Sequence, residues 1–381
     1  MCSKASFHKA NSVDVVSLLT PFLSLHLSRN KGNEKGRGML SYLTALRPID
    51  IHSPWLVVHH PAFAPLANQL ATASKFFEVS PSQWANFPDG TPNLRLDAAA
   101  IRGRDVMLLA SLKVDELVST LAMMYAIPRY LARSLTIVAP YLPTGAMERV
   151  DSEGEVATAK TLARLLSAPP SAQAGQPTLV IYDIHALASR FFFGDNIKIL
   201  LLSAVPLLIR HLKEEARLDD VVIVFPDEGA MKRFSAIFRR LMGDKLKLAT
   251  CTKIRQGDRR IVKLAPGGAD VAGKHVVIVD DLVQSGGTLV ECAQVLRENM
   301  AATVWAYATH AVFPKKSYER FVHHPPPAAR PVFDRFVTTN SVPQMAAKLL
   351  VIGRPSFVVL SLADDILDGK SFASDLPPPR L

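Results

Sequence analysis

The apolar residues of this 381-residue chain fall in short unbroken runs separated by helix-length stretches. In the first half the runs are 55–59 (WLVVH), 105–110 (DVMLLA), 135–139 (LTIVA) and 179–183 (LVIYD). The second half adds 221–225 (VVIVF), 261–264 (IVKL), 276–280 (VVIVD) and 303–308 (TVWAYA). Continuous rather than alternating apolar character predicts strands buried on both faces. Stretches 114–127, 156–166, 205–212, 229–241 and 289–296 place apolar residues at helical spacing. Strand–helix alternation of this kind predicts α/β domains with mainly parallel sheets flanked by helices. Residues 168–176 and the proline-rich 325–331 predict surface loops, and the closing SDLPPPRL predicts a tail. Both halves repeat an apolar strand ending in an acid or proline, then a loop, then a helix.

One stretch, HVVIVDDLVQSGGTL from His275 to Leu289, carries the densest chemistry. Val276, Val277, Ile278 and Val279 form the strand, and Asp280 and Asp281 close it. Ser285, Gly286, Gly287 and Thr288 make a small-residue turn that leads into the helix from Leu289. Backbone N–H groups at such a turn and helix start suit a phosphate. The two carboxylates can accept hydrogen bonds from vicinal hydroxyls. Strand, acidic pair and turn together predict a site for a phosphorylated sugar. An ordinary glycine turn after a solvated Asp pair is the plainer alternative, which the order, spacing and flanking strand disfavour.

Composition narrows the class. Hydrophobic residues are 49% and charged residues 20%, as in a globular chain rather than a disordered one. The three cysteines, Cys2, Cys251 and Cys292, share no metal-like spacing and no disulfide framework, which points to a reducing compartment. The net charge of +10 suits anionic partners. Much of the excess (Lys245, Lys247, Lys253, Arg255, Arg259, Arg260, Lys263) lies just before the sugar-phosphate stretch, so polyphosphate substrates are expected rather than nucleic acid. No apolar run is long enough to span a bilayer, and no membrane partner is expected. Residues 1–38 carry six basic and two acidic residues, as a transit peptide, a disordered extension or a start upstream of Met39 would. The chain ends Pro-Arg-Leu, a loose relative of a peroxisomal address. The cytoplasm is the first expectation for its compartment, with an organelle as the alternative.

The stretch at 275–289 resembles the phosphoribosyl-diphosphate loop of type I phosphoribosyltransferases and ribose-phosphate pyrophosphokinases. Further segments resemble the pyrophosphokinase family alone. They are FPDGTPNLRL (87–96), IRGRDVMLLAS (101–111), TIVAPYLPTGAMER (136–149), EGEVATAKTLARLLS (153–167) and YDIHALASRFFFGD (182–195). VFPDEGAMKRF (224–234), KIRQGDRRIV (253–262) and ATHAVFP (308–314) follow in family order, so the resemblance covers roughly 55–365. PTGAMER, SEGEVATA and FPDEGA look most like the plant-type, class II branch. The resemblance implies two tandem type I phosphoribosyltransferase-like domains. The first, on the ATP side, would span 55–204, and the second, which binds ribose 5-phosphate, 205–370. An extension (1–54) and a tail (371–381) would flank them.

The reaction implied is transfer of the β,γ-diphosphoryl group of ATP to ribose 5-phosphate, with Mg²⁺ as cofactor. Asp280, Asp281, Gln284, Ser285, Gly286, Gly287 and Thr288 would hold the sugar phosphate. Lys253 and Arg255, two apart in a loop-like stretch ahead of the strand 261–264, match the Lys-x-Arg pair of the family's mobile catalytic loop. On residues alone a solvated basic hairpin is the favoured reading, and the surrounding motif reverses that. By resemblance His185 and Asp227 would meet the metal and the bound phosphates, with Asp183 beside them. Phe87 and Asp89 correspond to residues that meet adenine, often from a neighbouring subunit, so at least a homodimer is implied. On residues alone they are equally a half-buried Phe and a turn-forming Asp-Gly. Arg149 is retained on the ATP side, whereas Thr91, Ala146 and Met147 replace polar or charged residues of the commoner branch. Gln284 stands where many relatives carry Asp. A phosphoribosyltransferase acting on a base, or a non-catalytic regulatory relative, are the other readings. Neither explains the presence of Lys253, Arg255 and the DIHA segment as well.

Overall fold

The computed structural model describes residues 54–368, apart from 144–147, 149, 151, 216–219, 244–245, 257–258, 323–330 and 354; for 253–256 and 259–261 it describes the backbone. The N-terminal extension, the tail, the loop at 325–330, Lys245, Ala146, Met147 and Arg149 lie outside the described residues.

A six-stranded, all-parallel sheet is built from β1 (Trp55–His59), β2 (Phe77–Val79), β5 (Asp105–Leu109), β6 (Ser134–Ala139), β7 (Thr178–Tyr182) and β8 (Lys198–Leu202). Its order is β2-β1-β5-β6-β7-β8. Between β2 and β5 a separate antiparallel hairpin, β3 (Ser82–Asn86) and β4 (Pro92–Leu96), stands apart from the sheet. The second sheet runs β11-β10-β9-β12-β13-β14-β15. It comprises β9 (Val221–Phe225), β10 (Lys247–Gln256), β11 (Arg259–Leu264), β12 (His275–Val283), β13 (Thr303–Ala311), β14 (Arg335–Thr339) and β15 (Phe357–Leu360). All its pairings are parallel except β10 with β11.

The continuous apolar runs are buried on both faces, as their pattern requires. All five residues of β7 and all five of β9 are buried. Each Val, Ile or Leu removed from water in this way contributes about 1.5–3 kcal/mol. Helices cover both faces: Thr158–Leu166 and Leu117–Arg129 on one side of the first sheet, Ala64–Ala73 on the other. Val205–Glu215 and Glu228–Met242 share one face of the second sheet, and Gly287–Glu298 and Pro343–Ile352 the opposite face. The last helix, Leu362–Asp368, returns to the first sheet, burying Leu362, Ala363 and Ile366 beside Leu66 and Leu70. Tyr182 Oη donates to Asp365 Oδ2 at 2.9 Å in that contact.

Two sequence expectations change. Lys253 and Arg255 do not lie in a loop: their backbone continues β10, in register with Val262 and Arg260 of β11. The basic residues of 253–260 leave this stretch without an apolar run, so its sequence does not predict the strand. β12 does not stop at Asp280 but runs to Val283.

Candidate active site

The unequal lengths of β12's neighbours create the site. Pairing with β9 ends at Ile278–Val224, whereas pairing with β13 continues to Val283–Ala311. Asp280 and Asp281 therefore sit where β12 has a partner on one side only, at the carboxyl edge where parallel sheets place their ligands. A cleft of about 830 Å³ opens there. Its wall is Asp280 to Leu289, the start of the helix Glu228–Met242, and Glu148 and His185–Ala188 from the first sheet's side.

The turn after β12 requires glycine. Gly286 has φ +77°, in the left-handed region, and starts the helix Gly287–Glu298. A Cβ at Gly286 would run into the Phe321 ring. The segment that supplies Phe321 also braces the turn: Ser317 Oγ donates to the Gln284 carbonyl at 2.7 Å, and Arg320 to the Ser285 carbonyl at 3.3 Å.

The acidic pair is electrostatically asymmetric. Asp281 Oδ2 lies 2.7 Å from the Arg233 guanidinium and 2.8 Å from His185 Nδ1. Burial would raise its carboxyl, but the His185 hydrogen bond and the Arg233 charge outweigh burial and hold it well below the usual range. The same hydrogen bond raises His185 against burial and the nearby Arg233. Asp280 goes the other way: burial first, then the negative Asp281, push its carboxyl well above the usual range. Its Oδ1 accepts from the Asp281 N–H at 2.9 Å. One carboxylate is thus fixed and ionised, while its neighbour holds a proton more readily.

The cleft brings His185, Asp227, Asp280, Asp281, Gln284, Ser285, Gly286, Gly287 and Thr288 together. Asp227 caps the helix Glu228–Met242, Oδ1 accepting from Ala230 N–H at 2.9 Å. Asp183 is not brought to this cleft. It is buried, with φ +36°, and its Oδ2 accepts from Ala204 N–H at 2.9 Å and Thr309 Oγ1 at 2.6 Å. Nor are Phe87 and Asp89, which lie on the β3–β4 turn. Phe87 is half exposed, and Asp89 accepts from the Thr91 hydroxyl and N–H, which lowers its carboxyl.

Arg233, Glu148 and His310 were not singled out by the sequence. His310 bridges the sheets, Nε2 lying 3.1 Å from the Tyr182 carbonyl and Nδ1 2.9 Å from Ser341 Oγ. For Arg233 a signal exists: Asp227, Ala230 and Arg233 recur at every third position, which puts them on one helix face.

Among the described residues no three His, Cys, Asp or Glu side chains are grouped to hold a metal by themselves. Asp227 and Asp280 nevertheless face the cleft beside His185. Mg²⁺ needs only one or two carboxylates when substrate phosphates and water complete its shell, so this donor set fits a metal that arrives with a polyphosphate.

Two phosphoribosyltransferase-type domains in tandem, one carrying an acidic strand end and a glycine turn, define the class. Residues 195–324 match the phosphoribosyl transferase domain, and 56–169 the N-terminal domain of ribose phosphate pyrophosphokinase. The chain belongs to the ribose-phosphate pyrophosphokinase family. It is 44% identical over 305 residues to ribose-phosphate pyrophosphokinase 4 of Oryza sativa subsp. japonica, covering 80% of this chain and 91% of that one. It is also 44% identical over 303 residues to ribose-phosphate pyrophosphokinase 3, mitochondrial, of Spinacia oleracea, covering 79% and 72%. The crystal structure of phosphoribosylpyrophosphate synthetase from Mycobacterium smegmatis aligns with a TM-score of 0.64 at 25% identity, covering 83% of this chain and 96% of that one. The plant-type character of the motifs agrees with these plant relatives.

Proposed function

We propose that this chain is a Mg²⁺-dependent ribose-phosphate diphosphokinase, making 5-phosphoribosyl 1-diphosphate and AMP from ATP and ribose 5-phosphate. The anomeric oxygen bonds to the β-phosphorus, the bond from the α,β-bridging oxygen to that phosphorus breaks, and the hydroxyl proton is released. The observation that carries the reading is the cleft in which His185, at the end of the first sheet, meets Asp281 and the glycine turn of the second.

The turn amides of Ser285 to Thr288 receive the 5-phosphate, with Gln284 at their rim. Asp280 and Asp281 accept from the ring hydroxyls, Arg233 and His185 keeping Asp281 ionised. Asp227 and His185 face the polyphosphate and would hold Mg²⁺ there. The metal, when bound, neutralises phosphate charge and orients the β-phosphoryl group. Lys253 and Arg255 are assigned to the transferring group, where a compact ammonium and a planar guanidinium suit the developing charge. Arg149 is assigned to ATP. Asp183 is assigned to the junction between the sheets, because its acceptor oxygen is already engaged there.

Phe87 and Asp89 are assigned to adenine in a neighbouring subunit's site, so the active form is at least a homodimer. The half-exposed Phe87, at a hairpin turn away from its own cleft, supports this. Domains at 55–204 and 205–370 are assigned, a division that the two separate sheets support, the helix Leu362–Asp368 packing back on the first sheet. The cytoplasm is the proposed compartment, and imaging the chain with and without residues 1–38 tests it against an organelle. A phosphoribosyltransferase reading leaves the match at 56–169 without a purpose. The test of the activity is AMP formation by the full chain with ATP, ribose 5-phosphate and Mg²⁺. Turnover that requires all three supports it, and folded protein giving no AMP above background overturns it.

A further inference from the structure

Cys251 and Cys292 lie far apart in sequence, yet their sulfurs are 2.9 Å apart in the buried core of the second sheet. Both are free thiols. That separation is closer than an ordinary non-bonded sulfur pair, and under an ångström of movement would bring it to the bonded length of about 2.03–2.05 Å.

The positions of the two residues give the pair its meaning. β10 pairs with β9 only from Lys247 to Thr250. From Cys251 onward it pairs with β11 alone, starting at Cys251–Leu264. Cys251 is therefore the root of the hairpin that carries Lys253 and Arg255 beyond the sheet. Cys292 sits on the helix Gly287–Glu298, which begins at the phosphate turn. The sulfur contact joins the base of the basic hairpin to the support of the acceptor site.

We propose that Cys251 and Cys292 form an oxidation site, at which a hydroperoxide converts the two thiols into one intrachain cystine that pins the hairpin root and slows turnover. The Cys251 sulfur, as thiolate, attacks one peroxide oxygen, the O–O bond breaks, and a sulfenic acid forms as the released oxygen leaves as water. Cys292 then attacks the sulfenic sulfur. The S–O bond breaks, the S–S bond forms, and the departing hydroxide takes the Cys292 proton as a second water. The two sulfurs lose two electrons and hydrogen peroxide gains them. The hydrogen bond from Cys292 lowers the Cys251 thiol, whereas Cys292 is pushed up, which fits Cys251 as the first nucleophile. Access would come from the sheet edge: among the described strands β11 is outermost, and local opening of the hairpin would uncover Cys251.

The test uses the full chain carrying Cys2→Ser, which leaves only this pair, treated with hydrogen peroxide. Both thiols should disappear with a mass loss of two hydrogens, amide exchange at the root of β10 and β11 should slow, and dithiothreitol should reverse both. Turnover should fall about tenfold, because a pinned root restrains the strand that carries Lys253 and Arg255. Adding Cys292→Ala or Cys251→Ser should leave the reduced rate unchanged and remove the peroxide effect that dithiothreitol reverses. Persistence of both thiols, a dimer linked between chains, or a cystine that changes neither exchange nor turnover would overturn the proposal. The thiol and exchange readouts do not depend on the assigned activity, so a failure of that reading is separately visible.

Discussion

β7 and β12 both lead into aspartate at the carboxyl edge of a parallel sheet, and the two edges have opposite fates. After β7, Asp183 turns inward with φ +36° and is sealed by Ala204 N–H, Thr309 and the Ser203 hydroxyl. After the paired core of β12, Asp280 and Asp281 face an open cleft because β9 has ended. A strand-end carboxylate becomes structural when neighbouring backbone and hydroxyl donors reach it. It stays available for ligands where a neighbouring strand stops short. Asp281 shows an intermediate solution: Arg233 and His185 hold it in place and ionised while it still borders the cleft.

The largest effect expected from this contrast is at Asp281. Asp281→Asn should lower kcat/KM for ribose 5-phosphate by about a thousandfold, because a buried polar site loses both its charge and its fixed partners. A loss below tenfold in a coupled AMP assay would contradict the assignment. Asp183→Ala should show the reverse signature. Stability falls by about 2–4 kcal/mol as buried donors lose their acceptor, while the folded enzyme keeps kcat/KM within about tenfold. Denaturant unfolding and assay together check this; inactivity at full stability would erase the contrast. Gly286→Ala comes next, costing about 1–3 kcal/mol through backbone strain and the Phe321 ring, with KM for ribose 5-phosphate rising more than kcat falls.

The smallest effect is on pH dependence. The folded-state pKa of His185 is raised by Asp281, so its contribution to stability is complete below the ordinary histidine value of about 6.5 and is lost as pH rises through the folded value. Asp281 is lowered, so its contribution is present above the ordinary value of about 3.9 and is lost as pH falls through its folded value. NMR titration of His185 in metal-free Asp281→Asn should show a lower pKa than in the unmodified chain. An unchanged value would mean that the pair does not control the imidazole.

The parts of the molecule legible from sequence were those with unbroken apolar runs. β1, β9 and the core of β12 coincide with their runs because burial on both faces leaves no room for polar residues. β3 and β4 were not legible: SQWAN and PNLRL are half exposed and show no apolar run. β10 was hidden by its basic residues, and β8 (KILLL) by the helix Val205–Glu215 that follows within three residues, so that no clear break marks the strand's end. At the site, the acidic pair and glycine turn could be read because they are contiguous. His310 could not, because its importance comes from a contact across elements, with Tyr182; Arg233 left only its spacing from Asp227 and Ala230, its partner Asp281 lying on another element. Asp183 and His185 are near neighbours in sequence, and the donors Ala204 N–H, Ser203 and Thr309 that reach Asp183 separate their fates.

In the proposed reaction two phosphoryl groups move together from ATP to the anomeric oxygen. Phosphorus NMR of the full chain with ATP, ribose 5-phosphate and Mg²⁺ follows each phosphorus directly. The expected products are AMP together with a diphosphate attached to the ribose anomeric carbon. ADP or orthophosphate accumulating without AMP would contradict it.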